Sequence, residues 1–209
     1  MREHGVKIAI TKPEKRSVTG LKGIHNMILD KYTSQYINIL KEFSVREKII
    51  VALCNLQRQM ICVEKFDEFY NENLLSDFRA SLNSLVNYLS DASIDLEEVK
   101  KTAMRGPDTD DYPETEGTVA QNACGSLYYL YSFLSSKDDI DLLQSIDKCF
   151  ESADAINYDE GTQEEEDRYF AEEARNLKLL IERVKQSPTE SIENIRDLLI
   201  FAQEKSIKF

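Results

Sequence analysis

The stretch SVREKIIVALCNLQRQMICVEKFDEF, residues 44–69, decides the fold class. Ser44 and Glu47 form the S-x-x-E pattern of a capping box, in which each side chain bonds the backbone N–H of the other residue at the start of a helix. Apolar side chains then recur at steps of three and four residues, which places them on one side of an α-helix: Ile49, Ile50, Leu53, Leu56, Met60, Ile61, Phe66 and Phe69. The stretch therefore predicts a long helix that ends at Asn71 or Asn73.

The same helical period extends over residues 21–206 and predicts an all-α, single-domain bundle of seven to eight helices. A chain of 209 residues is long enough to bury one sizeable core, and its 7 Gly and 4 Pro are too few for a turn-rich β protein. Residues 21–209 then form the helical domain, and residues 1–20 form a short, extended, basic N-terminal arm and linker. Ser187 as the N-cap, with Pro188 at the first helical position, predicts where the last helix begins.

Small residues mark the helix that is predicted to follow the acidic loop at 105–117. They allow close approach of a neighbouring helix and are Ala120, Ala123, Cys124, Gly125 and Ser126. Apolar and aromatic positions continue the pattern beyond them, so we expect this helix to be the central and most buried one. In this interpretation the loop leads into the core and does not feed an active site.

The cysteines favour a reducing compartment. Cys54, Cys62, Cys124 and Cys149 include no C-x-x-C pair, and each falls within an apolar helical pattern, which predicts four buried reduced thiols. No apolar stretch reaches 18 residues, and the first residues lack the apolar core of a signal peptide. We therefore expect a cytoplasmic protein that does not span a membrane, with this chain as the whole mature protein.

Side chains for catalysis are scarce. The only histidines, His4 and His25, lie near the N-terminus, and the sequence has no H-E-x-x-H, P-loop or dinucleotide fingerprint. Carboxylates alone can hold Mg²⁺, and Glu164-x-x-Asp167 is such a pair. It lies at a predicted helix start, however, where the helix dipole favours acidic residues without any further function. We predict no catalytic residue, no metal and no cofactor, and retain a carboxylate–Mg²⁺ nucleotide hydrolase as the less favoured alternative.

The net charge of −12 is concentrated in one third of the chain. Residues 108–173 contain 19 Asp and Glu against Lys137, Lys148 and Arg168, a net charge of −16, whereas residues 1–23 carry a net charge of +4. Such an acidic surface repels nucleic acid and anionic membranes and attracts cationic proteins. The alternative interpretation is that the acids keep a helical protein soluble.

Three groups of side chains are the candidates for binding a cationic partner. The acidic loop contributes four carboxylates, a stripe at steps of four, three and four residues contributes the second group, and the start of the next helix contributes the third. They are Asp110, Asp111, Glu114 and Glu116; Asp147, Glu151, Asp154 and Tyr158; and Glu164 and Asp167. The stripe is equally typical of the solvated face of an amphipathic helix.

Two segments resemble a known family. LCNLQRQM, residues 53–60, followed by Phe66, resembles the Leu-Cys…Met element of the YjaG-like bacterial proteins, which carry domain of unknown function 416. DYPETEGTVAQNAC, residues 111–124, is similar to the stretch where an Asp/Tyr/Pro loop enters an Ala-rich helix in that family, and the ending SIKF is similar too. The absence of Trp and the added N-terminal residues indicate a divergent member. The resemblance, over about residues 40–209, implies an all-α bacterial cytosolic protein without assigned catalytic residues.

Three classes of function follow. The favoured class is a non-catalytic, acidic binding protein of the immunity type, which binds and blocks a cationic toxin domain; this hypothesis rests on the charge distribution, the scarcity of catalytic groups and an analogy at the level of fold. The second is a housekeeping protein of the family it resembles, which self-associates. The third is the Mg²⁺-dependent hydrolase.

Overall fold

The protein is an all-α bundle. The computed structural model describes residues 37–90, 96–157 and 162–209, without the side chains of Gln163, Glu164 and Glu166. Within these ranges residues 37–42 are helical (α1), no strand occurs, and seven further helices follow. They are α2 (Val45–Tyr70), α3 (Leu75–Tyr88), α4 (Leu96–Ala103), α5 (Thr115–Ser136), α6 (Asp139–Asn157), α7 (Gln163–Gln186) and α8 (Ile192–Gln203). The predicted fold class is confirmed, while the predicted arm, residues 1–20, lies outside the described residues.

Helix α2 is the centre of the bundle. Every side chain from Ile49 to Leu56 is buried, and α2 packs against α3, α5, α6, α7 and α8. The expectation that α5 is the central helix is therefore wrong. Helix α5 packs against α2, α4 and α6 and exposes Gln121 and Tyr128 on its remaining side. A helix that is apolar on all sides is buried on all sides, and the run IIVALCNL gives α2 that property.

The small residues of α5 bring it close to α6. Ser126 and Ser145 form a reciprocal pair, in which the Ser126 hydroxyl donates to the Ser145 carbonyl at 2.7 Å and the Ser145 hydroxyl donates to the Ser126 carbonyl at 2.8 Å. Both serines are fully buried. Since α5 and α6 are joined by a turn at Lys137, which has a φ of 56°, the two helices form an antiparallel hairpin.

A buried ion pair joins α2 to α7. Arg58 is 1% exposed, and one of its terminal nitrogens donates to both oxygens of Glu173, at 2.8 and 2.6 Å. Its Nε donates to the carbonyl of Lys205 at 2.7 Å, and the Ile207 N–H donates to the carbonyl of Arg58 at 3.3 Å. Burial alone would lower the pKa of Arg58, but the charge and hydrogen bonds of Glu173 raise it above its usual value. The pair thus ties three parts of the chain together.

Some predicted helix ends are confirmed and one is wrong. The capping box at Ser44 and Glu47 is present, and Asn71 ends α2 in the left-handed conformation with a φ of 56°. The last helix begins instead at Ile192, with Ser191 as its N-cap. The preceding turn is held by Arg46 of α2, whose Nε donates to the carbonyl of Thr189 at 2.7 Å. This bond, made between residues distant in sequence, keeps the turn out of the helix.

The four cysteines are buried and unpaired, as predicted. Burial raises the pKa of the Cys54, Cys124 and Cys149 thiols to about 12, and it also raises the pKa of Cys62. The four side chains are accordingly small apolar parts of the core, and their thiolate forms are suppressed.

Replacing Glu173 by Ala should destabilise the protein by about 3–5 kcal/mol, because Arg58 would then be a buried charge without its carboxylate. The matched control is Glu172→Ala, next in the sequence, which removes an exposed ion pair with Lys208 and should cost about 0–1 kcal/mol. Denaturant unfolding would measure both. Equal free energies of unfolding for the two variants would contradict the assigned role of the pair.

The buried thiols should not react with a disulfide reagent at pH 8 while the protein is folded, and all four should react in denaturant. Because their pKa values are raised from 9.0 in the folded state, unfolded thiols ionise at a lower pH than folded ones. The free energy of unfolding should then fall as pH rises from about 9 towards 12. A thiol that is labelled quickly in the native protein would show that its helix is not packed as described.

Candidate functional site: an acidic end of the bundle

Helices α2 and α6 run parallel. Near their starts the ammonium of Lys48 bonds the carboxylate of Asp139 at 2.7 Å, and further along the Asn55 side chain meets the thiol of Cys149 at 3.5 Å. Helix α5 is antiparallel to α6, and α7 is antiparallel to α2. The ends of α2 and α6 and the beginnings of α5 and α7 consequently lie at one end of the bundle, which we name the acidic end.

The loop between α4 and α5 is folded on itself at Asp108. Its carbonyl accepts from the N–H groups of Asp111 at 3.0 Å and Tyr112 at 2.9 Å, and its carboxylate accepts from the N–H of Asp110 at 3.0 Å. The Gln121 side chain of α5 donates to the carbonyl of Pro107 at 3.0 Å. These bonds fix the acidic loop against the bundle.

Tyr112 attaches this loop to the end of α2 by packing on its aromatic residues. Its ring lies 5.0 Å from the ring of Phe66 and 4.9 Å from that of Tyr70, in edge-to-face contacts, and Phe69 packs on Tyr70 at 4.8 Å. We call these four residues the aromatic cluster. Its hydroxyls are engaged as well: Tyr112 donates to Glu72 at 2.9 Å, and Tyr70 accepts from the Glu114 N–H at 3.2 Å. The bond to Glu72 raises the pKa of Tyr112.

Gly117 makes this contact possible. A Cβ atom at that position would lie 2.0 Å from the carbonyl oxygen of Tyr112, closer than any side chain can approach. Tyr112 therefore rests directly on the backbone of the first turn of α5. The requirement is for space, since the φ of Gly117 is not positive.

The acidic loop and the first turn of α5, which includes Glu116, present the four candidate residues at this end. Asp110, Asp111 and Glu114 are exposed and Glu116 is partly exposed. The loop lies against the end of α2, where further carboxylates lie that the sequence analysis did not include: Glu64 and Glu68 in the last turns of the helix and Glu72 just after it. Lys65 lies among them and bonds Glu68 at 2.7 Å.

The predicted stripe on α6 does not form one exposed face. Asp147 is only 5% exposed, so its assignment both to a solvated face and to a docking surface is wrong. Lys148 and Glu151 are bonded to each other, Asp154 is partly exposed, and Tyr158 lies outside the described residues. The spacing correctly places these positions along one side of α6, but α6 has α5, α2 and α7 as neighbours, and they leave little of that side free.

The acidic start of α7 is a helix cap. The Thr162 N–H donates to Glu165 at 2.9 Å, which completes a capping box and lowers the pKa of Glu165. Asp167 is exposed, and the side chain of Glu164 is not among those described, so the proposed Mg²⁺ pair is not tested. In the described part of the chain no three His, Cys, Asp or Glu side chains are placed to hold a metal ion.

Sequence reasoning missed the aromatic part of the site. Phe69 was predicted to lie on the apolar side of its helix, yet its side chain is 57% exposed, so that expectation is wrong. The signal that was present is Tyr112, an aromatic residue set among acids and prolines in a loop. Such a residue needs an apolar contact, and the end of α2 supplies it.

Substituting Ala for Gly117 should destabilise the protein, although Ala is the better helix former. The new methyl group displaces Tyr112 and costs about 1–3 kcal/mol, and this outweighs the gain of about 0.5–1 kcal/mol that the substitution brings in a helix. Gly125→Ala is the control in the same helix, because its Cβ meets flexible atoms of Lys148 at 3.4 Å and longer; it should be neutral or stabilising. Thermal unfolding of both variants gives the signs, and a stabilised Gly117→Ala protein would rule out the close contact.

One solved structure with a similar fold is a DUF416 family protein from Shewanella baltica OS155. It superposes with a TM-score of 0.71 and 17% identity, over 83% of this chain and 95% of that chain. No family model matches this sequence, and no curated protein matches it. In the described ranges, none of the helices has the length and apolar character that crossing a membrane requires. The all-α fold implied by the resemblance to domain of unknown function 416 is thus confirmed.

Proposed function

We propose that this chain is a non-catalytic binding protein that uses its acidic end to capture a cationic protein domain. The observation that supports this is the placement of the carboxylates. Those of the loop at 110–116 and those at the end of α2 surround an aromatic cluster, and they belong to a chain whose residues 108–173 carry a net charge of −16. Aromatic residues are enriched at protein-binding surfaces, which have a polar rim, and carboxylates in such a rim complement the charge of a cationic partner.

The proposed action is to block the partner by covering it. An immunity protein needs no reacting group, because a complementary charged surface captures the toxin domain quickly and shields its active surface. Four buried reduced thiols are typical of a cytoplasmic location, where such a partner would have to be neutralised. The same hypothesis includes the proposal that the protein has no catalytic residue, metal or cofactor.

A second candidate is favoured by the fold likeness. We propose, as this alternative, a divergent member of the DUF416 family with a housekeeping role that depends on self-association. Light scattering over a range of protein concentrations would separate the two, since self-association requires a mass above 24.1 kDa without any added partner. The Mg²⁺-dependent hydrolase remains the third candidate, and its test is Mg²⁺-dependent release of phosphate from nucleotides.

The first experiment takes the product of the adjacent gene as the partner. If that product has a basic C-terminal domain, expressing the domain alone should arrest growth, and co-expression with this chain should restore it. Association of the two purified proteins should slow as the salt concentration rises. Growth arrest without rescue, or an adjacent product that is acidic, would count against the immunity-type function.

Neutralising the loop carboxylates should lower the on-rate by about tenfold or more at low salt, because steering by charge contributes factors of about 10–10³. The variant carries Asp110→Asn, Asp111→Asn, Glu114→Gln and Glu116→Gln. A matched control removes four exposed acids elsewhere, with Glu182→Gln, Glu190→Gln, Glu193→Gln and Asp197→Asn. The total charge of the two variants is equal, so equal on-rates by surface plasmon resonance would show that net charge, and not the acidic end, attracts the partner.

A further inference from the structure

An aromatic ring at the acidic end is left facing solvent. Phe69 is 57% exposed although a phenylalanine ring gains free energy from burial. Its neighbour along the cluster, Tyr70, is only partly exposed, and Phe66 is 3% exposed. The ring therefore extends the core outward to the surface and is continuous with it, unlike an isolated exposed side chain.

Contacts within the protein itself hold the aromatic cluster in place, without a bound partner. Tyr112 and Tyr70 contact each other edge to face at 4.9 Å, and both hydroxyls are engaged by the surrounding backbone and side chains. The fit of Tyr112 against Gly117 prevents the loop from moving inward. A rigid aromatic surface loses little conformational entropy when it binds, and this favours its use as an anchor.

Carboxylates are close to Phe69 and Tyr112 in the sequence. Glu68 and Glu72 lie one residue before and three residues after Phe69, and Asp111 precedes Tyr112 in the loop. A cation placed over an aromatic face is attracted by the ring, and neighbouring carboxylates strengthen that attraction and accept its hydrogen bonds. Arginine fits this combination better than lysine, because its planar guanidinium stacks on a ring while its N–H groups bond carboxylates.

We propose that the aromatic cluster and its flanking carboxylates form the docking face for an arginine side chain of the cationic partner. The guanidinium stacks on Phe69 and donates to Oε1 of Glu68 and Oε2 of Glu72, since Lys65 bonds the other oxygen of Glu68 and Tyr112 bonds the other oxygen of Glu72. This inference rests on the proposed function and makes it more specific: charge on the loop attracts the partner, and the cluster selects arginine over lysine.

The test uses two labelled peptides of equal charge, hexa-arginine and hexa-lysine, with fluorescence anisotropy as the measurement. The wild-type chain should bind hexa-arginine about two- to fivefold more tightly, the range that an exposed cation–π contact supplies. Phe69→Leu keeps an apolar side chain without a ring, and it should weaken hexa-arginine binding more than hexa-lysine binding, because only the planar guanidinium stacks on the ring. Ile200→Leu, at a 59% exposed position on α8, is the control and should change neither.

The results separate this inference from the proposed function. If the four loop substitutions weaken both peptides but Phe69→Leu weakens neither, the acidic end binds cations and the arginine face is disproved. If neither set of substitutions has an effect, both proposals fail. If the protein instead forms dimers that Phe69→Leu dissociates, the face is a contact between copies of this chain, and the arginine proposal is overturned.

Discussion

The buried guanidinium of Arg58 is the constraint on which the arrangement of this bundle depends. A charge at 1% exposure must be surrounded by acceptors, and the acceptors come from α7 and from the segment after α8. Apolar packing against α2 tolerates small rotations and shifts of its neighbours, whereas hydrogen bonds between 2.6 and 2.8 Å do not. Arg58 thereby fixes the position of α7 along α2, and with it the end at which α7 begins.

The acidic end follows from this alignment and from one missing side chain. Once α7 and α5 run against the direction of α2, their acidic first turns and the loop before α5 come to the end where α2 finishes. Gly117 lets Tyr112 rest on α5, and Tyr112 joins the loop to the rings of α2. The acidic loop thus packs on the aromatic cluster. The ring contacts and the hydrogen bonds of Asp108 oppose the mutual repulsion of its carboxylates.

The helices could be predicted from the sequence, but the helices that pack against each of them could not. Period and capping patterns are local, so the start of α2 at Ser44 and its end at Asn71 could be predicted. Which side of a helix is covered depends on residues far away in the chain, and this is why Asp147 and Phe69 were placed on the wrong sides. Arg58 lies four residues from both Cys54 and Cys62, on a side of α2 where Asn55 is also polar and buried. That position was a signal for a buried partner, but the sequence does not say that the partner is Glu173.

The bonds of Arg58 also set the order in which the chain can acquire its final form during synthesis. Its carboxylate partner lies 115 residues later, and the carbonyl that receives its Nε lies 147 residues later. A ribosome that adds about 5–20 residues each second therefore leaves α2 without these acceptors for roughly 7–30 seconds. During that interval the side of α2 that packs against α7 and α8 has no permanent cover, so the nascent chain is a natural client for chaperones that hold exposed apolar segments.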